Sequence, residues 1–394
     1  MNNQLKDLTV LEPAGVLAGP LVGMFLAEYG ATVIKIEPAG RGDVTRTWKL
    51  GNETGHSSLS SYYCCANWGK RSVALNLKTD DGRAVFYELT RASDIVLTSF
   101  KAGDASKLGI DYPTLKKYRR NLIYGSITGF GENHTRPAFD AVIQAESGFM
   151  HMNGTSQSGP LKMPVALMDV LAAHHLKEKL LLALLQREQT GLGDSVSVSL
   201  MEAALASLAN QGSAWLVTGQ DPRATGTEHP NIYPYGTVFY TGDHTPVLLA
   251  VGNDTHFRKL MEVLGKPKVS ENSLFATNPG RSANREQLRP ILTELIKKHE
   301  NADQLMHELQ TRGVPCGAIL KVSEAIERHA QGGLLSGSHP DYGPIRGIPT
   351  SNTHSLSGLS SPEELGASTD VILQDYLNLK SSRLTELRKN RIIQ

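Results

Sequence analysis

The stretch LTVLEPAGVLAGPLVGMFLAEYGATVIKIE, residues 8–37, sets the fold. An apolar run at 8–11 and a β-branched run at 31–37 predict two strands, and the helical periodicity at 20–29 predicts a connecting helix. Further predicted elements follow: strands at 72–77, 94–99 and 122–128, and helices at 80–92 and 112–119. Alternating strands and helices indicate an α/β fold with a parallel sheet, whose ligands bind at the carboxyl ends of the strands.

The chain has 394 residues, more than the roughly 250 at which a single core stops growing, so we expect two domains. A long helix is predicted at 170–188. The alternating pattern of the sequence changes near residue 223, where a proline-rich segment leads into two predicted short strands and three predicted amphipathic helices. We therefore predict a large domain that begins with 1–222, a smaller inserted α+β domain at 223–324, and a return of 325–394 to the large domain.

Charge and cysteine content narrow the possible partners and location. The 40 Lys and Arg residues balance 39 Asp and Glu residues, so no overall field favours nucleic acid or an anionic membrane. The three cysteines lack the spacing of a zinc or redox motif, and the N-terminus lacks a basic start followed by an apolar run. No later run reaches the ~18 apolar residues of a membrane span. We expect a cytoplasmic protein that binds neither nucleic acid nor membrane.

The first βα turn, AGVLAGP at 14–20, is a candidate ligand contact. The sequence carries no dinucleotide, Walker, zinc-protease or serine-hydrolase motif that would assign the ligand. Ala18 and Gly19 would let a ligand approach the backbone, and Pro20 suits a first helical turn. The alternative is that the small residues only make the turn tight.

Basic residues also accumulate near the predicted strand ends. They are Arg41, Arg46, Lys70, Arg71, Lys78, Lys101 and Lys107. Such a rim would bind a phosphate-bearing ligand through charge-assisted hydrogen bonds. The alternative is an ordinary solvated surface.

Asp169 lies in the apolar run MPVALMDVLAA at 163–173, where a carboxylate is costly to bury without a partner or a role. It is a candidate carboxylate nucleophile in a dry site, and the alternative is that it caps the long helix. The adjacent His174 and His175 point to different faces of that helix and do not form a chelating pair. Cys316 is interpreted as a structural thiol, so we predict no metal site and no thiol nucleophile.

Seven strings carry a resemblance to a known family. They are LAGP at 17–20, GATVIKIEPAGRGDVTRTW at 30–48, KRSVALNLK at 70–78, SITGFG at 126–131, FDAVIQAESG at 139–148, TGLGDSVSVSLMEA at 190–203 and GVPCGAI at 313–319. In this order and spacing, over nearly the whole chain, the sequence resembles the family III CoA-transferases. That family includes the formyl-CoA, carnitine and succinyl-CoA:glutarate transferases.

The resemblance implies a Rossmann-like large domain built from both chain ends, a smaller inserted domain and two interlocked subunits in a homodimer. The catalytic aspartate of the family matches Asp169. Arg41 is matched to a CoA-contacting arginine that formyl-CoA transferase carries where this chain has Pro38. The other positions that match CoA contacts are Leu17, Ala18, Leu75, Asn76, Leu77, Lys78, Ser99, Phe100, Lys101, Lys107, Arg136, Phe139 and Asp140.

The implied reaction moves CoA between two carboxylic acids, with acyl-CoA and a small carboxylic acid as substrates and without a metal. Asp169 attacks the thioester to give an acyl-aspartyl anhydride, and CoA finally joins the acceptor acid. The entry HPNIYPYG at 229–236 resembles the succinyl-CoA:glutarate branch and favours a dicarboxylate such as succinate. Leu17 replaces a glutamine of formyl-CoA transferase, which disfavours oxalate and formate.

Two other functions remain open from the sequence. A 2-methylacyl-CoA racemase places a His-Asp pair where this chain has Phe139 and Asp140, and phenylalanine cannot exchange a proton. A catalytically silent CoA-binding relative would fit Ala172 and Ala173, which replace a Thr-Gly pair after the aspartate. The presence of Asp169 argues against that second alternative.

Overall fold

The computed structural model describes residues 4–53, 55, 57–330, 333–350 and 359–394. The chain forms two compact units. The first unit contains Met1–Ser147, Met163–Ser213 and Ala330–Gln394, and the second contains Gly148–Lys162 and Ala214–His329. The predicted domain boundaries near 222 and 324 stay a prediction.

Strands and helices alternate most regularly in the first 128 residues. The strands are β1 Thr9–Glu12, β2 Thr32–Glu37, β3 Lys70–Ala74, β4 Ile95–Thr98, β5 Ile123–Thr128, β6 Gly154–Thr155, β7 Gly159–Pro160, β8 Ser195–Ser199, β9 Tyr235–Tyr240, β10 Pro246–Ala250, β11 Cys316–Ala318, β12 Leu335–His339 and β13 Gly343–Gly347. The helices are α1 Ala18–Glu28, α2 Ser61–Cys64, α3 Asp80–Arg91, α4 Asp104–Lys107, α5 Tyr112–Leu115, α6 Asp140–Glu146, α7 Phe149–Met152, α8 Leu167–Thr190, α9 Leu200–Ala206, α10 Ala209–Thr218, α11 Asp254–Val263, α12 Asn278–Ala283, α13 Arg285–Lys297, α14 Ala302–Thr311, α15 Val322–His329, α16 Thr369–Leu377 and α17 Ser381–Lys389. Short 3₁₀ helices span Val44–Thr47 and Pro267–Glu271.

A six-stranded sheet in the order β3-β2-β1-β4-β5-β8 forms the centre of the first unit. Every neighbouring pair in it is parallel, which confirms the predicted α/β class with a parallel sheet. The order follows the dinucleotide-binding pattern, in which the chain runs outward in one direction from β1 and then in the other from β4. Ligands in such sheets bind in the crevice at that switch point, beyond the carboxyl ends of β1 and β4.

Helix α8 crosses this unit and carries Asp169 near its start. The sequence predicted a helix at 170–188, but the structure begins it at Leu167, so Asp169 lies inside the first turn. Its buried face includes Leu176 and Leu180, four residues apart as helix geometry requires. The helix ends at Gly191, whose φ of 69° is the left-handed conformation that glycine adopts without steric cost.

The end of the chain completes the core of the first unit. Leu373, Leu384 and Leu387 are buried in one apolar cluster with side chains of the sheet and of α3. An isolated bridge also joins Leu75, just after β3, to Ile393. The tail therefore packs beside the segment that follows β3, which is one of the predicted CoA-contacting segments.

The second unit has its own core around a three-stranded antiparallel sheet in the order β11-β10-β9. Phe257 and Leu260 of α11, Leu292 of α13 and Leu305 of α14 are fully buried against it. The sequence predicted two strands here and missed β11, a three-residue strand that contains Cys316. Three residues are too few to show an alternating pattern.

Candidate active site

The first βα turn lies at the switch point of the sheet and is fastened to the end of β4. The amide of Gly15 donates to Oγ of Ser99 at 2.9 Å, and the Ser99 hydroxyl donates to the carbonyl oxygen of Gly15 at 3.1 Å. A Cβ atom on Gly19 would lie 2.5 Å from the Cβ of Ala14, so only glycine fits there without a shift. The small residues therefore make the turn tight, and the same turn borders a cavity.

This cavity has a volume of about 300 Å³ and collects residues from distant parts of the sequence. The predicted site residues that line it are Leu17, Ala18, Ser99, Phe100, Lys101, Arg136, Phe139 and Asp169. Phe139 is 59% exposed and directly precedes α6. The guanidinium of Arg136 pairs with the exposed Glu146, with Nη1 2.9 Å from Oε2.

Asp169 is 9% exposed, and no hydrogen bond or ion pair joins its carboxylate to another of the described residues. It occupies the third position of α8, while Ala166 takes the capping position, so the capping interpretation is wrong. Burial, and then the negative charge of Asp140, raises the pKa of Asp169 from 3.8 to about 7. The site thus holds a carboxylate that the protein itself leaves poorly stabilised.

Asp140 contacts the start of α8, and its predicted contact with CoA stays a prediction. It does not line the cavity, and its buried carboxylate accepts hydrogen bonds from the amide of Met168 at 2.8 Å and from Nε2 of Gln144 at 2.7 Å. The Met168 amide belongs to the first turn of α8, where backbone donors lack helical partners. Asp140 therefore holds the start of the helix that carries Asp169.

Two further cavities continue from the first along the carboxyl ends of the strands. One, of about 350 Å³, is bordered by the first turn, Arg41 and Phe100. The next, of about 340 Å³, is bordered by Arg41, Phe100 and the predicted residues Leu75, Asn76, Leu77 and Lys78. Because Phe100 lines all three cavities, they form one row that runs from Lys78 to Asp169.

Among the cations predicted to contact CoA, Lys107 does not line this row. Its Nζ lies 2.9 Å from Oδ1 of Asp104 on the outer surface of α4. Arg41, Lys78 and Lys101 are exposed on the row and carry its positive charge.

The predicted basic rim is wrong for Arg46, Lys70 and Arg71. Arg46 is 3% exposed, and its Nη2 lies 2.7 Å from Oε1 of Glu37. Lys70 is 2% exposed, with Nζ 2.8 Å from Oε1 of Glu12. Lys70 and Arg71 begin β3, two residues earlier than predicted, so they lie at the opposite edge of the sheet from the cavities.

Sequence reasoning missed three residues near the site. Tyr62 is half-buried, and its ring centroid lies 5.0 Å from that of Trp48 in a T-shaped arrangement. Burial, and then the charge of Asp169, raises the pKa of Tyr62 to about 12. Lys35 and Asp43 form a buried ion pair of 3.1 Å under the first turn. A lysine in the apolar strand ATVIKIE was a visible signal, because a buried ammonium needs a partner.

No metal centre accompanies this geometry within the described ranges, where no three His, Cys, Asp or Glu side chains are grouped to hold an ion. Each helix of the described residues is too short or too polar to cross a bilayer.

Comparison with known proteins assigns the class. The family described as CoA-transferase family III matches residues 5–358, and the chain belongs to this family. It is therefore a CoA-transferase, and coenzyme A, carried as acyl-CoA, is its substrate. This confirms the family and the enzyme class that the sequence indicated.

Relatives of the chain cover most of its length. A succinate–glutarate CoA-transferase of Agrobacterium fabrum is 37% identical over 327 residues, which are 81% of each chain. An acetyl-CoA:oxalate CoA-transferase of Acetobacter aceti is 36% identical over 322 residues, also 81% of each chain. The crystal structure of a CAIB/BAIF family protein from Brucella suis is 34% identical, with a TM-score of 0.82, and covers 95% of this chain and 100% of its own.

Proposed function

We propose that this enzyme moves CoA between two carboxylic acids, with a dicarboxylate such as succinate among them, through a covalent intermediate on Asp169. The observation that carries the proposal is the Asp169 carboxylate itself. It lies in a cavity wall, nearly buried, with no hydrogen-bond donor among the described residues. A carboxylate stripped of its solvation is a better nucleophile than one in water.

The row of cavities supports the binding of an acyl-CoA with its thioester at Asp169. Arg41 and Lys78 lie toward the far end of the row, where they would pair with phosphate groups. Lys101 and Phe100 border the cavity of Asp169, so the pantetheine arm would pass over the end of β4. Leu75, Asn76 and Leu77 would contact the nucleotide.

The chemistry balances without water or a net proton. An oxygen of Asp169 attacks the donor thioester, the C–S bond breaks, and the CoA thiolate leaves an acyl-aspartyl anhydride. The thiolate then attacks the aspartyl carbonyl, which breaks the anhydride C–O bond, releases the donor acid and forms an aspartyl-CoA thioester. The acceptor acid repeats these two steps in reverse, so CoA joins the acceptor and Asp169 is regenerated.

Each step passes through a tetrahedral oxyanion that needs hydrogen-bond donors. The amides of Ala18 and Gly19 at the start of α1 have no helical acceptor, because the first turn of a helix leaves its donors free. Ala18 borders the same cavity as Asp169. We assign the oxyanion contacts to these backbone amides.

The preference for a dicarboxylate rests on the relatives. Their names include succinate, glutarate and oxalate, which are all dicarboxylates. Leu17 supplies an apolar part of the cavity that Asp169 also lines, which fits a longer carbon chain better than oxalate. An acceptor screen should therefore include oxalate, succinate, glutarate and a monocarboxylate at equal concentrations.

Intact-protein mass spectrometry tests the covalent step. The protein is mixed with succinyl-CoA, trapped with hydroxylamine and compared with Asp169→Ala and with wild type lacking acyl-CoA. We expect a hydroxamate on Asp169 only in the complete wild-type reaction. Turnover without any adduct, or an adduct of equal yield in Asp169→Ala, would contradict the proposal.

We also propose a homodimer, which the family resemblance implies. Leu181, Leu182 and Leu185 of α8 are 41%, 65% and 62% exposed, and a partner subunit would remove this apolar surface from water. Light scattering on the purified protein should give twice the mass of one chain, whereas a monomer at working concentration would refute the dimer. A cytoplasmic location stays a prediction.

A further inference from the structure

The first βα turn contains a strained residue at the edge of the proposed active site. Val16 has φ of 67°, in the left-handed region that a β-branched side chain rarely occupies. It lies in the cavity wall beside Leu17, which immediately precedes α1. A backbone of this kind persists only where surrounding contacts hold it.

Gly15 is held by Ser99, and the contacts of Ala14 and Val16 on either side of it come from one buried ion pair. Oδ2 of Asp43 accepts the Val16 amide at 3.1 Å and lies 3.1 Å from Nζ of Lys35. Lys35 in turn donates to the carbonyl oxygen of Ala14 at 3.0 Å. The other carboxylate oxygen accepts the amide and hydroxyl of Thr45 at 3.0 and 2.8 Å. The ion pair therefore holds the turn by hydrogen bonds at Ala14 and Val16.

The pair is charged as well as buried. Asp43 and Lys35 are 5% and 1% exposed. Burial opposes the charge of Asp43, but Lys35 and the Thr45 hydrogen bonds outweigh it and hold the pKa of Asp43 below its usual range. Burial likewise opposes the charge of Lys35, yet Asp43 and then Glu12 keep its pKa raised. A full charge makes each hydrogen bond to the turn stronger than a neutral one.

We propose that Asp43 and Lys35 are positioning residues for acyl transfer, which hold Val16 in its left-handed conformation and so fix the start of α1 against the cavity of Asp169. The inference rests on the proposed function. Loss of these contacts should displace the backbone amides of Ala18 and Gly19, to which the oxyanion contacts are assigned. A misplacement of about 1 Å costs on the order of a hundredfold in rate.

Asp43→Asn is the informative change because every group around both carboxylate oxygens is a donor. The asparagine amide must therefore face a donor in either orientation. We expect kcat to fall by about tenfold to a hundredfold. The KM for acyl-CoA should change less than kcat, because the described contacts of the Asp43 carboxylate include neither Arg41 nor Lys78, the cations proposed to bind the phosphates.

Thr45→Val is the matched control. It also removes a hydrogen bond from buried Asp43, but leaves the contact with Val16 in place. This control separates the proposed role from one in which Asp43 only holds the 3₁₀ helix Val44–Thr47 in place. We expect Thr45→Val to lower Tm and to keep kcat within about twofold; an equal loss of kcat in both variants would overturn the inference.

A double-mutant cycle with Val16→Gly supplies a readout that a merely structural role would not move. Glycine enters the left-handed region without the Cβ penalty, so the turn then needs Asp43 less. We expect Asp43→Asn to cost at least about tenfold in kcat in the parent chain and less than about threefold in the Val16→Gly background. Equal losses in both backgrounds would overturn the inference, even when the parent enzyme is an active transferase.

Two further measurements keep the outcome decisive. Should Asp43→Asn not fold, Asp43→Asn with Lys35→Met removes one buried charge of each sign and enters the same cycle. A crystal structure of either variant does not depend on turnover. Departure of Val16 from positive φ supports the inference, and retention of that conformation overturns it. An inactive parent enzyme would instead refute the proposed function.

Discussion

Asp169→Asn should stabilise the protein above neutral pH while it abolishes transfer. In the folded state the pKa of Asp169 is about 7, because burial and then Asp140 disfavour its charge, whereas the ordinary value is 3.8. The native state therefore binds the proton more tightly than the unfolded chain. The stability that this proton contributes is fully present below the pKa of Asp169 in the unfolded chain and is lost as pH rises through about 7, its pKa in the folded protein.

The size of the effect follows from the shift. About three pKa units at about 1.4 kcal/mol each give a loss of about 4 kcal/mol once Asp169 is ionised in both states. At about pH 5 less than about 2 kcal/mol of this stability has been lost. Between about pH 5 and pH 8 the unfolding free energy of wild type should therefore fall by about 2 to 3 kcal/mol more than that of Asp169→Asn. Asparagine keeps the shape of the side chain and has no charge to desolvate.

Urea unfolding of wild type and Asp169→Asn at both pH values measures this difference. Tryptophan fluorescence is a suitable signal, because Trp68 is fully buried in the core of the first unit. An equal difference in unfolding free energy between the two proteins at both pH values would refute a destabilising charge on Asp169. That result would mean that the carboxylate is stabilised in the folded state or remains protonated.

Three other outcomes follow from the same geometry. The value of kcat/KM should rise with pH near pH 7 as Asp169 ionises. Asp140→Asn removes a negative charge, so this rise should move to lower pH. Initial rates across the neutral range measure it, and an unmoved rise would contradict the influence of Asp140 on the pKa of Asp169. Lys78→Ala should raise the KM for acyl-CoA about tenfold at unchanged kcat. Lys107 lies off the row of cavities, so Lys107→Ala should change this KM less than about twofold. Equal effects of the two changes would contradict the proposal that the row binds CoA. Arg46→Met should lower the unfolding free energy by about 3 to 5 kcal/mol in urea titrations, because it strands a buried carboxylate, and a loss below about 1 kcal/mol would contradict the buried pair.

The sequence predicted the features that arise from local periodicity. The βα units through residue 128 and the long helix near Asp169 were recognisable because strand and helix periods differ. The parallel sheet followed from their alternation. Asp169 also stood out locally, as a single carboxylate in an apolar run.

Features that depend on long-range pairing were not predictable in this way. Arg46 and Lys70 looked like surface cations because their buried partners, Glu37 and Glu12, are set by the packing of neighbouring strands. The contact of Asp43 with Val16 joins residues 27 positions apart and appears only when β1 and β2 lie side by side. Charge type was visible in the sequence, but the side of the sheet on which each charge lies was not.

The central claim, that Asp169 carries the group in transfer, is tested most directly by isotope tracing. The enzyme turns over succinyl-CoA and an acceptor acid whose carboxylate is labelled with heavy oxygen, and the peptide that contains Asp169 is then analysed by mass spectrometry. In the proposed sequence the bridging oxygen of the second anhydride stays with Asp169, so its side chain should carry one heavy oxygen after one turnover and one or two after several. Rapid turnover with an unlabelled Asp169 would contradict the account, because the acids would then have exchanged CoA without passing through this carboxylate.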